Sequence, residues 1–166
     1  MSTIAPDFNR YVEEVQRIFK AYSSHDDRTE HDNSIKARPE IDGIFQSIAE
    51  QVTQQTPFEA KAQALSTTIE IAEWIINEGD RSLIGKNIRG DLPHMPLSSS
   101  ISHILDMLLT EELAALQADG EILKAIHNLR WRAEAYALNL RINDSIDRLW
   151  LEESDQEDEH ETQMAL

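Results

Sequence analysis

The sequence lacks cysteine, and this absence excludes disulfide bonds, thiol catalysis and zinc sites built on cysteine ligands. Glycine and proline are also scarce, with five of each among 166 residues, so the frequent tight turns of an all-β fold are not expected. No run of 18 apolar residues occurs, and the opening stretch MSTIAPDF contains neither a basic nor an apolar leader region. These absences favour a helical, cytoplasmic protein that does not enter a membrane.

Basic residues are few, with 15 Lys and Arg against 31 Asp and Glu, and the formal net charge is −16. Nucleic acids and anionic membranes are bound through clustered Lys and Arg, so we expect neither as a partner. The charge is uneven, because residues 120–151 contain four acids and five bases, whereas residues 152–166 contain seven acids and no Lys or Arg. We therefore predict one helical domain over residues 1–151 and a disordered acidic tail over residues 152–166.

Apolar residues at three- and four-residue spacing predict an all-α bundle of about five helices, with a long C-terminal helix. Their expected spans are Pro6 to Tyr22, Pro39 to Val52, Phe58 to a C-cap at Gly79, Ser98 to Leu116, and Gly120 to Trp150. The polar residues 23–34 are predicted to form a flexible linker, and residues 79–100, rich in glycine and proline, a long loop.

The third predicted helix has two further signals. Thr56 and Glu59 have the spacing of a capping box, in which each side chain accepts a hydrogen bond from the backbone amide of the other. Its second half, which includes Ile69, Ile71 and Ile75, is apolar almost all round. A helix of this kind is expected in the interior or at an interface.

The fifth predicted helix carries two apolar stripes on roughly opposite sides, at about 100° per residue. The first stripe contains Ile122, Ile126, Leu129, Ala133, Tyr136 and Leu140. The second contains Trp131, Ala135, Leu138, Ile142, Ile146 and Leu149. Two stripes require two packing surfaces, so the helix is central in the bundle, docks one stripe on a second chain, or breaks at Asn143–Asp144 and rotates its face.

The second stripe supplies the candidate functional site. Trp and Arg are the residue types that anchor protein interfaces, although Arg stems also cover ordinary apolar surface at a helix rim. We interpret the chain as a non-enzymatic adaptor, chaperone or inhibitor that binds a partner protein or forms a homodimer. The predicted partner-binding residues are Arg130, Trp131, Leu138, Ile142, Ile146, Leu149 and Trp150.

Two alternatives remain open. The first is an acidic inhibitor that mimics nucleic acid and occupies the basic groove of another protein. The second is a magnesium-dependent, all-α nucleotide pyrophosphohydrolase, because Glu70 and Glu73, like Asp144 and Asp147, lie one helical turn apart.

No catalytic motif supports an enzyme. The segment from Gly79 to Asn87 has five residues between its glycines, where a phosphate-binding P-loop has four, and no strand precedes it. We accordingly predict no catalytic residue, no cofactor and no metal ligand.

Overall fold

The computed structural model describes the backbone of residues 7–22, 27–116 and 119–164, and side chains in these ranges other than 27–31, 143, 144, 147, 148 and 151–164. Throughout these ranges the secondary structure is helical, without a strand, so the predicted all-α class is confirmed. Six α-helices are present rather than about five. They are α1 (Asn9–Tyr22), α2 (Asp27–Gln51), α3 (Phe58–Glu78), α4 (Leu83–Asp91), α5 (Leu97–Ala115) and α6 (Gly120–Met164), with a 3-10 turn (Leu92–His94) between α4 and α5.

Helix α3 lies at the centre of the fold and contacts each of the other five α-helices. Its apolar side chains are buried on several sides, as the sequence predicts: Leu65, Ile69, Ile71, Ala72 and Ile75. Burial on several sides leaves little room for polar groups. The ammonium of Lys61, which is 1% exposed, is paired with the Glu111 carboxylate of α5 at 3.1 Å.

Helices α1 and α2 cover one side of α3. The buried residues of α1 are Tyr11, Val15, Ile18 and Phe19, which belong to the apolar stripe predicted for the first helix. The Phe19 ring meets Trp74 of α3 edge-on, with the ring centroids 4.9 Å apart. An edge-to-face geometry is favourable because the positive ring edge meets the negative ring face.

The prediction that the second helix begins at Pro39 is wrong, because α2 begins at Asp27 and Pro39 lies inside it. Residues 27–34 of the predicted linker are therefore helical, and residues 23–26 lie outside the described residues. A proline within a helix removes one backbone hydrogen bond, at a cost of about 3 kcal/mol. Tertiary contacts offset this cost, since Ala37 is buried and Asn33 Nδ2 donates to the Tyr22 carbonyl at 2.8 Å.

The loop predicted for residues 79–100 is also wrong, because the segment contains α4, the 3-10 turn and the start of α5. Ser82 caps α4, and its hydroxyl accepts a hydrogen bond from the Gly85 amide at 3.1 Å. Ile84, Ile88 and Leu92 are spaced by four residues and are all buried. Gly85 and Gly90 lie within α4 rather than in turns. Gly85 instead permits close approach, since a Cβ at this position would lie 2.5 Å from the Glu78 carbonyl oxygen.

The predicted capping box does not form. Pro57 is the N-cap of α3 and makes no side-chain cap bond. The Thr56 hydroxyl accepts from the Thr53 amide at 2.8 Å and donates to the Gln51 carbonyl at 3.1 Å, and it thereby closes the turn after α2. The predicted C-cap at Gly79 is confirmed.

Residues 152–164 continue the backbone of α6, but no side chain beyond Trp150 is described. The predicted disorder of the acidic tail is therefore not confirmed and stays a prediction. The described residues contain no helix that is both long and apolar enough to span a lipid bilayer.

Replacing Gly85 with Ala should destabilise the fold, because the added Cβ would force the start of α4 away from the Glu78 carbonyl. We expect the free energy of unfolding to fall by about 1–3 kcal/mol, the usual cost of overpacking, in urea denaturation followed by circular dichroism. Gly90→Ala is the matched control in the same helix, since nothing lies within 4 Å of its Cβ position. The free energy of unfolding of this control should rise by about 0.5–1 kcal/mol. Equal changes in the free energy of unfolding for the two substitutions would contradict the close approach of Gly85 to the Glu78 carbonyl.

Candidate functional site

The first apolar stripe of α6 packs into the domain. Ile126 and Ala133 are fully buried, Leu140 is 6% exposed, and Leu129 and Tyr136 pack partly buried against the core. These residues lie where α6 contacts α3 and α5. Glu112, near the end of α5, contacts His127, near the start of α6, so the two helices are antiparallel neighbours. One face of α6 is therefore satisfied within the chain.

The second stripe is left uncovered by the described part of the chain. We call its exposed residues, together with Trp150, the outer face: Trp131, Leu138, Ile142, Ile146, Leu149 and Trp150. Trp131 is 72% exposed, Trp150 is 69% exposed, and the four aliphatic side chains are 45–58% exposed. The structure thus brings the predicted apolar site residues onto one continuous surface of α6. Their role in binding a partner stays a prediction.

The character of α6 changes after Leu140. The side chains described in residues 141–150 are all exposed: Arg141, Ile142, Ser145, Ile146, Leu149 and Trp150. The next positions of the inner periodicity are Asn143, Asp144 and Asp147 in the sequence, and their side chains lie outside the described set. We call residues 120–140 the supported half of α6 and residues 141–150 the distal half. The outer face runs along both halves for about 30 Å, at 1.5 Å per residue.

A groove of about 470 Å³ lies beside the outer face, between α5 and α6. Its apolar lining includes Ile101, Leu105 and Leu109 of α5 and Leu138 of the outer face. Charged residues of both signs line it as well: Asp106, Arg130, Glu134 and Arg141. The groove extends the apolar surface sideways from α6 onto α5.

Arg130, the predicted charged member of the site, is held by two carboxylates. Its Nε donates to Glu134 Oε1 at 3.2 Å, one turn along α6. Its Nη1 lies 4.0 Å from Glu112 Oε2, and Glu112 also pairs with His127 at 2.8 Å. A partner would meet a guanidinium whose orientation is already restricted, which lowers the entropy lost on binding.

Tyr136 lies on the inner side of the supported half, and its buried hydroxyl has no hydrogen-bond partner among the described residues. Burial raises the pKa of Tyr136 well above its ordinary value, and the nearby charge of Glu73 raises it further. The phenol therefore stays neutral at physiological pH, as a packing residue would. Sequence reasoning assigned Tyr136 to the inner stripe, and the structure agrees.

A second cavity, of about 1050 Å³, lies on another side of the domain, between α2, the 3-10 turn and the start of α5. His94, His103, Asp42 and Glu50 line it together with Met95 and Pro96. The His103 Nε2 atom is hydrogen-bonded to the Val52 carbonyl at 3.0 Å, so this nitrogen is committed to the backbone. Partial burial raises the pKa of Asp42, and Asp91 raises it further against the opposing effect of Arg38. Sequence reasoning missed this cavity, because its residues come from distant segments.

The acidic pairs singled out in the sequence do not form a metal site in the described residues. Glu70 and Glu73 are both exposed on α3, and the side chains of Asp144 and Asp147 lie outside the described set. No group of three or more His, Asp or Glu side chains placed to hold a metal ion occurs in the part of the chain that the structure describes.

Comparison with known proteins gives no further guide to this site, since no family model, no curated protein and no solved structure matches the chain.

Buried and exposed positions of the inner stripe of α6 should respond differently to truncation, and two isoleucines offer a matched pair. Ile126→Ala should lower the free energy of unfolding by about 2–5 kcal/mol, because it leaves a cavity in the core. Ile122→Ala removes the same atoms from the same stripe, but Ile122 is 38% exposed, so the loss should be below about 1.5 kcal/mol. Urea denaturation measures both. Similar losses would contradict the described packing of α6.

Proposed function

We propose that this chain is a non-enzymatic protein-interaction protein, of the adaptor, chaperone or inhibitor kind, that binds a helix of another polypeptide on the outer face of α6. One observation carries the proposal. A single helix buries one apolar face in its own domain and exposes a second apolar face with two tryptophans, each about 70% exposed. Such large exposed side chains are typical of the anchors of protein interfaces.

The size of the exposed surface supports the proposal. Taking about 200 Å² for a fully buried Trp and about 100 Å² for a Leu or Ile, the exposed fractions correspond to about 500 Å² of apolar area. The largest apolar patch of a typical monomer is about 300–600 Å² and is often functional. The outer face lies in the upper part of that range before the adjoining groove is counted.

The distal half gives a second line of support. Its apolar side chains are 46%, 45% and 58% exposed at Ile142, Ile146 and Leu149 respectively, so the described part of the domain leaves them in contact with solvent. Docking on a partner would bury these side chains, and the burial of apolar area is favourable.

Neither alternative has comparable support. The exposed carboxylates of the described residues are distributed over α1, α2, α3, α5 and α6, so composition is the main argument for a nucleic-acid mimic. The hydrolase alternative expects Glu70 and Glu73 to converge with other acids, and among the described side chains they do not.

A photo-crosslinking amino acid in place of Leu138 tests the proposed function in the cells from which the protein comes. We expect a covalent adduct with a polypeptide, because Leu138 lies at the centre of the outer face, is 57% exposed and lines the groove. The matched control is the same substitution at Leu113, which is 70% exposed on α5 and lies off the outer face.

The adduct should disappear when Ile142 and Ile146 are both changed to Asp, because two charges on the outer face oppose its desolvation. Absence of any adduct at Leu138, or the same adducts from both positions, would refute the proposal.

A further inference from the structure

We infer that the occupant of the outer face is a second copy of this chain, with the two α6 helices antiparallel about a two-fold axis near residue 140. This inference rests on the proposed function and specifies its partner. A two-fold interface is formed by one patch that is complementary to itself. The outer face must therefore be complementary to the outer face of a second copy that runs in the opposite direction.

The apolar positions of the outer face are nearly symmetric about residue 140. Trp131 and Leu149 lie nine positions on either side of it, and Leu138 and Ile142 lie two positions on either side. Reversal therefore sets Trp131 against the partner's Leu149 and Leu138 against the partner's Ile142. It also sets Ala135 against the partner's Ser145, next to the partner's Ile146, so small side chains alternate with a large one. Alternation of large and small side chains lets two helices interdigitate.

The two halves of α6 also complement each other. The supported half has an exposed outer face and a covered inner face, and every described side chain of the distal half is exposed. In the antiparallel arrangement the distal half of each copy lies along the supported half of the other. Each domain body packs on the inner face of its own supported half, so the two bodies lie on opposite sides and at opposite ends of the helix pair.

Charge favours the antiparallel orientation over the parallel one. A parallel pair would align residues 152–161 of the two chains, and each of these segments carries seven acids and no Lys or Arg. In the antiparallel pair this segment runs instead beside residues 119–128 of the partner, which contain two acids, Asp119 and Glu121, together with Lys124 and His127, so far fewer like charges face each other. Arg132 comes to the same side as the partner's Trp150, about two residues away along the axis. A guanidinium near an indole face is a favourable contact.

The buried area is sufficient for association. The outer faces of two copies together offer about 1,000 Å² of apolar area, which reaches the lower limit of about 1,000 Å² for a specific interface. The flanking groove residues add to it. We therefore expect a dimer that forms at micromolar concentration and dissociates on dilution, rather than a permanent one.

Light scattering coupled to size exclusion tests self-association. The purified chain should approach twice its 19.0 kDa mass at high micromolar concentration and fall toward 19.0 kDa on dilution. Leu138→Asp with Ile142→Asp should hold the mass at 19.0 kDa while the helical circular dichroism signal is retained. Leu113→Asp with Leu116→Asp is the matched control, since both residues are exposed on or next to the end of α5, and it should still form the dimer.

Disulfide cross-linking tests the orientation, and the absence of native cysteine makes each variant carry a single thiol. Ala135→Cys and Ser145→Cys place small side chains five positions before and after residue 140. In the antiparallel pair, position 135 faces the partner's position 145, within the Cα separation of about 4.4–6.8 Å that a disulfide allows. The two 135 positions are then about 15 Å apart along the axis, at 1.5 Å per residue. A mixture of the two variants should cross-link on mild oxidation, and neither variant alone should.

Each other outcome overturns the inference in a recognisable way. Cross-linking of either variant alone would indicate a parallel pair, and a dimer mass with no cross-link would place the interface elsewhere. A mass of 19.0 kDa at every concentration would exclude self-association. If Leu138 still gives adducts with a different protein in cells, the proposed function survives that result, and if it gives none, both proposals fail.

Discussion

The fold depends on the burial of α3 on several sides. Leu65, Ile71 and Ile75 are fully buried although they do not share one face, so no single neighbour can cover them and all five other α-helices contribute. Because apolar burial is the dominant favourable term in folding, a helix with apolar residues on several sides determines where the amphipathic helices must lie. It also determines where a charge is tolerated. Lys61 is buried on this helix, and the pairing of its ammonium with Glu111 compensates the lost hydration.

Helix α6 joins this arrangement through one of its two apolar faces. Up to Leu140 its inner face closes the domain over α3 and α5, and every described side chain in residues 141–150 is exposed. One helix therefore combines a face that packs into its own domain with a second apolar face in contact with solvent. The outer face extends from Trp131 to Trp150, so a partner on this face would contact both halves of α6 at once.

Much of this arrangement can be predicted from the periodicity of apolar residues in the sequence. The all-α class, the interior position of α3, the buried face of α1 and the two stripes of α6 follow from apolar residues at three- and four-residue spacing, because burial on one side of a helix requires that spacing. The errors have one cause. Pro39, Thr56 and the glycines and prolines of residues 79–100 were interpreted from local preference, whereas tertiary contacts decide their roles. Helix α2 continues through Pro39, Thr56 closes the preceding turn, and Gly85 allows α3 and α4 to approach.

The sequence alone therefore determined that α6 has two apolar faces and that the chain forms helices around an apolar centre. Only the tertiary structure decided which of the two faces is covered. The two stripes have similar composition, so hydrophobicity does not distinguish them. The short connection from α5 places the first turns of α6 beside α5, and the face that then meets α3 is the one with Ile126, Ala133 and Leu140. The direction in which a helix enters the core is fixed by its neighbours, and a one-dimensional pattern does not contain that information.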